Sequence, residues 1–68
     1  MTIWVNGEDR ELPAGATVAD AVEATGAPAD GRGIAAAVDG EVVPSDRWRQ
    51  TALAEGQRVE VVQAVQGG

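Results

Sequence analysis

Apolar and polar residues alternate from the first positions of the chain. Ile3 and Val5 fall on one side of an extended segment and Thr2 and Trp4 on the other, the period of two that marks a strand, here over 2–6. Asn6-Gly7 follows, and both residue types tolerate positive φ, so a turn is expected there. Glu8-Asp9 reads as an extension of that loop, with Arg10 to Leu12 returning as a second strand that Pro13 stops. The pattern then changes. Val18, Ala21, Val22 and Thr25 recur at helical spacing behind Thr17, a suitable N-cap whose hydroxyl can accept from an orphan N–H, and Asp20 lies near the positive end of the helix dipole. Gly26 suits the C′ position and Pro28 bars continuation, which predicts a short helix over 18–25 that must pack on a sheet to persist.

Ala29 to Gly33 is a polar, glycine-containing loop. Periodicity leaves 34–38 open between strand and helix, and Asp39-Gly40 followed by Glu41-Val42-Val43 resolves it as a second hairpin, ended by Pro44. Asp46 to Leu53 is irregular, with room for one helical turn, and carries Trp48. Glu55-Gly56-Gln57 turns the chain into Arg58 to Val65, a valine-rich run long enough for a central strand. The predicted order is ββαββ, an irregular stretch, then β. A right-handed crossover would set the last strand parallel to the first, with the helix across one face. That is the β-grasp arrangement: an α+β fold with one mixed sheet, a single domain over 1–65, and a flexible Gly-Gly tail over 66–68. Strand alternation turns Ile3, Val5, Val59 and Val61 toward the helix, and Trp4, Glu60, Val62 and Ala64 outward.

Composition narrows the chemistry. The chain has 68 residues and neither Cys nor His, which removes thiolate metal sites, disulfides, cysteine nucleophiles and the usual base near neutral pH. Ser45 is the only serine, with nothing nearby to activate it. Among the 11 acidic residues a catalytic carboxylate pair would need a cleft to shift its pKa values, and a chain this small rarely builds one; a solvated acidic surface is the simpler reading. The chain therefore reads as a non-enzyme. A net charge of −6 argues against nucleic acid and anionic membranes and suits a partner with a basic docking face, although acidity also serves solubility. The basic residues, Arg10, Arg32, Arg47, Arg49 and Arg58, include no Lys, so the chain offers no side-chain amine as an acceptor for self-conjugation. No apolar run approaches the length of a membrane span, and Met1-Thr2-Ile3-Trp4 does not open a signal peptide, so a cytoplasmic monomer is expected.

The end of the chain, Ala64-Val65-Gln66-Gly67-Gly68, is where chemistry could reside. Glycine lacks Cβ, so Gly67 and Gly68 could thread a narrow channel and present an unhindered carboxylate, with Gln66 and Val65 behind them. Attack of that carboxylate on the α-phosphorus of ATP would yield an acyl-adenylate, and a sulfur donor displacing AMP would leave a thiocarboxylate. The chain has no Gly-rich phosphate loop with Lys, so a separate enzyme would supply the ATP chemistry. On pattern alone, a terminus without any role remains equally open.

A resemblance adds to this. Ala37-Val38-Asp39-Gly40-Glu41-Val42-Val43-Pro44, then Trp48, Leu53, Glu55-Gly56 and the closing run Val59 to Gly68 resemble the ThiS family, the sulfur carriers of thiazole formation in thiamine biosynthesis. The resemblance covers nearly the whole chain. It implies adenylation of Gly68 by an E1-like enzyme, a glycyl adenylate and then a thiocarboxylate at Gly68 as the only covalent groups, no bound cofactor or metal, and delivery of sulfur to thiazole synthase. Its partners would be the activating enzyme, a sulfur donor protein and thiazole synthase, with Trp4, Glu60, Val62 and Ala64 as the candidate docking face. Asp39 stands where members of that family often have Asn, and both suit a tight turn. The alternatives are a carrier of another pathway, like the small subunit of molybdopterin synthase, a β-grasp interaction module with an idle tail, or a ubiquitin-like modifier. The ferredoxin version of the fold needs cysteine ligands and is excluded.

Overall fold

The computed structural model describes residues 1–27 and 32–63. β1 (Thr2–Val5) and β2 (Glu8–Glu11) form the opening hairpin, α1 (Val18–Ala24) follows, and β3 (Ile34–Val38) and β4 (Glu41–Val43) form the second hairpin. A 3₁₀-helix (Ser45–Gln50) then leads to β5 (Arg58–Gln63). The sheet order is β2-β1-β5-β3-β4, with β5 in the centre, parallel to β1 and antiparallel to β3. This is the expected β-grasp.

The opening hairpin corrects one boundary. Val5 pairs directly with Glu8, so the loop is Asn6-Gly7 alone, and Glu8-Asp9 belongs to β2 rather than to the loop. The backbone accounts for it: Asn6 and Gly7 both have positive φ, 52° and 82°, and two such residues close a hairpin without further chain. All four β2 residues are exposed. A strand with no buried face offers no apolar alternation to read, yet its charges suit an edge strand, where they discourage pairing with another chain.

Thr17 is the N-cap of α1; its N–H donates to Asp20 Oδ2 at 2.8 Å and its hydroxyl also donates to that oxygen, at 3.3 Å. Asp20 is thus the capping acceptor, satisfying a donor that the helix leaves unpaired. Val18, Ala21 and Val22 are buried. Thr25 is the C-cap, one residue beyond the helix, with its hydroxyl on Val22 O at 2.6 Å, and Gly26 takes the left-handed conformation that ends it. The core joins Ile3, Val5, Val18, Ala21, Val22, Ala36, Trp48, Leu53 and Val59 on the helix side of the sheet. Trp48 is 6% exposed and donates Nε1–H to Val43 O at 2.8 Å, so it plugs the core rather than facing a partner. Val18 N–H to Thr51 O and Leu53 N–H to Ala16 O tie the helix start to the segment after the 3₁₀-helix. No helix among the described residues is long and apolar enough to cross a membrane.

Candidate functional site

The helix covers one face of the sheet and leaves the other open. Residues that pair across neighbouring strands share a face. The register Trp4↔Asp9, Trp4↔Arg58, Glu60↔Ala37, Ala37↔Val42 and Val62↔Ala35 therefore sets these side chains on the open face together. Trp4 is 41%, Val62 60% and Val42 71% exposed, and Glu60 is exposed beside them. Of the residues expected outward, Trp4, Glu60 and Val62 are there, and Ala64 lies outside the described residues, as do Val65, Gln66, Gly67 and Gly68.

The face is wider than the sequence reading made it. Ala35, Ala37 and Val42 extend the apolar area across β3 and β4. The signal was present in Asp39-Gly40: a two-residue turn, with φ of 50° and 85°, forces Val38 opposite Glu41 and hence Ala37 opposite Val42. Trp4, Asn6, Gly7, Arg58, Val59 and Glu60 line an open groove of about 570 Å³ on this side of β1 and β5. At the other end of the opening hairpin, where Thr2 pairs with Glu11, hydrogen bonds from the Met1 ammonium and then the Thr2 hydroxyl hold the Glu11 carboxyl below its usual value.

Two polar contacts shape β5. Asp39 Oδ1 accepts from Arg58 N–H at 3.0 Å and Oδ2 from Gln57 Nε2 at 3.3 Å, tying the second hairpin to the start of the strand. Farther along, the Asn6 amide bonds both backbone groups of Val61: Oδ1 accepts its N–H at 2.8 Å and Nδ2 donates to its carbonyl at 3.2 Å. A turn signal at Asn6 gives no hint of this second role.

A one-helix β-grasp whose central strand leads toward a terminal Gly-Gly defines the ubiquitin-like class of small carrier domains. The ThiS family model matches residues 3–68, and the chain belongs to that family. Two solved structures share the fold, both of a thiamine biosynthesis protein from Geobacter metallireducens. The crystal structure, of ThiS, has a TM-score of 0.74 at 23% identity, covering 100% of both chains. The solution structure has a TM-score of 0.73 at 21% identity, covering 100% of this chain and 88% of that one. A UPF0288 protein of Methanothermobacter thermautotrophicus is 68% identical over 28 residues, which is 41% of this chain and 5% of that protein.

Proposed function

We propose that the working group is the backbone carboxylate of Gly68 and that the chain is a co-substrate of other enzymes in thiamine biosynthesis rather than an enzyme itself. A carboxylate oxygen of Gly68 attacks the α-phosphorus of ATP on a separate E1-like enzyme. The bond to pyrophosphate breaks, and a glycyl adenylate forms. A sulfur nucleophile at the oxidation level of hydrosulfide, supplied by a donor protein, adds to the acyl carbon and expels AMP. On thiazole synthase the thiocarboxylate sulfur bonds to an electrophilic carbon of the substrate, and attack of water on the acyl carbon of the resulting thioester breaks the C–S bond, leaving the sulfur on the substrate and returning Gly68 as a carboxylate. Val65, Gln66 and Gly67 thread the channel that leads to each active site, and the reactions take place in the cytoplasm.

The observation that carries this reading is the open face beside β5. Trp4 and Val62 stand exposed on it, with Glu60 between charged and apolar neighbours, and β5 is the strand that leads toward Gly68. Exposed apolar patches with a Trp anchor commonly mark partner sites, and docking here would aim the terminal glycines at an active site.

ATP–pyrophosphate exchange with the cognate activating enzyme tests it. Deleting Gly68 should abolish exchange while leaving the melting curve unchanged, and unchanged exchange would reject the mechanism. Intact mass of the protein isolated from its native cell gives a second check: OH replaced by SH adds about 16 Da, as oxidation of Met1 also would, but only the thiocarboxylate would then be alkylated by iodoacetamide, since no side chain of this sequence offers a competing thiol.

A further inference from the structure

β1 and β5 run parallel, and their ladder is short. Trp4 N–H donates to Gln57 O and Asn6 N–H to Val59 O, each at 2.9 Å, so the odd-numbered peptide groups of β5 face β1. The next of these belongs to Val61. By then β1 has ended, because Asn6 and Gly7 occupy the hairpin turn. The side chain of Asn6 takes the place of the missing strand. Its primary amide has the donor and acceptor of a peptide group, and it meets both the N–H and the C=O of Val61, at 2.8 and 3.2 Å.

The turn alone does not require this residue. Gly or Asp would also accept a φ of 52°. Gly supplies neither bond, and ionised Asp lacks the donor. On the other side, β3 holds β5 as far as Gln63 through Ile34. With the amide, β5 is held on both sides as far as Val61; without it, β5 beyond Val59 is held by β3 alone.

We propose that Asn6 is a positioning residue for the terminal carboxylate: by closing the β1–β5 ladder at Val61 it sets the direction in which the C-terminal segment leaves the sheet. This rests on the carrier reading above. Gly68 lies seven positions beyond Val61, a reach of at most about 24 Å, and the hold at Val61 is the last that the β1 side places on the strand from which that reach begins. Freedom gained there must be given up again before the carboxylate can approach a phosphorus atom in line.

Asn6→Gly preserves the turn and removes both bonds, and Asn6→Asp removes only the donor to Val61 O. Amide exchange by NMR and the kcat and KM of carrier-dependent ATP–pyrophosphate exchange are the readouts. In Asn6→Gly the Val61 amide should lose protection while Val59 keeps it. The kcat should fall about tenfold; KM is read beside it because Asn6 also lines the groove next to Trp4, and a loss confined to KM would assign Asn6 to docking and overturn positioning. Asn6→Asp should restore Val61 protection and part of the kcat. Wild-type kcat in Asn6→Gly with Val61 protection lost overturns the proposal, as does undiminished protection. If Asn6→Gly does not fold, a wild-type kcat in Asn6→Asp overturns it. Deletion of Gly68 separates the two readings: full exchange without Gly68 overturns the carrier reading and this one with it, whereas loss of exchange there beside wild-type kcat in the Asn6 variants overturns positioning alone.

Discussion

Trp48 carries the largest single stake in the stability of this domain. It is 6% exposed, belongs to the same buried cluster as Val18, Ala21, Val22 and Leu53, and its indole N–H is bonded to Val43 O at 2.8 Å. Replacing it by Ala removes the ring and leaves a cavity, a loss of about 3–5 kcal/mol. The whole of a 68-residue domain is worth only about 3–10 kcal/mol at the usual stability per residue. Trp48→Ala should therefore consume more than about a quarter of the folding free energy and can unfold the protein outright. Trp48→Phe separates the two parts of the effect. It retains most of the apolar ring and removes the donor to Val43, a loss of about 1–2 kcal/mol. Urea unfolding followed by far-ultraviolet circular dichroism measures both, since the signal does not depend on the indole. With a slope near 1 kcal/mol per molar urea for so small a domain, Trp48→Phe should move the midpoint by about 1–2 M. A Trp48→Ala midpoint within about 0.5 M of wild type at the same slope would show that the plug is not structural. If that variant also failed to bind the activating enzyme, Trp48 would be a partner contact instead.

Trp4→Ala should behave oppositely, costing about 2 kcal/mol or more in binding to the activating enzyme or thiazole synthase and shifting the melting temperature far less than Trp48→Ala. In a Trp48→Phe background, where Trp4 is the only indole, emission should be red-shifted and open to quenchers; blue, protected emission would remove Trp4 from the docking face. Gly67→Val should leave stability unchanged and impair transfer, because a β-branched side chain stiffens and thickens the tail; equal activity would mean that the tail is not threaded. Asp39→Asn keeps the left-handed φ and an acceptor for Arg58 N–H, so it should cost under about 1 kcal/mol, whereas Asp39→Ala loses both bonds and the favourable φ and should cost about 2 kcal/mol or more; a reversed order by thermal unfolding would refute that account of the turn.

Much of this protein was legible without coordinates because its signals are local. Asn6-Gly7 and Asp39-Gly40 dictate two-residue turns, since few other residues accept two successive positive φ values. Alternation along 2–5 and 58–63 sorts inward from outward side chains before any partner strand is known. The helix is readable from Thr17, Asp20 and Gly26, whose roles lie within one turn of either end. The Gly-Gly end, where the proposed chemistry lies, is likewise a matter of sequence alone. β2 was harder: Glu8–Glu11 has no buried face, so only its pairing with β1 makes it a strand. Tertiary structure decided what depends on register between distant segments. Ala35, Ala37 and Val42 join Trp4 and Val62 on one face only because β5 lies between β1 and β3. Trp48 joins Val18, Ala21 and Val22 in one cluster only because the 3₁₀-helix packs against α1. The bonds from Asn6 to Val61, 55 residues away, exist only once two parallel strands lie side by side, and no periodicity or propensity of either segment encodes them.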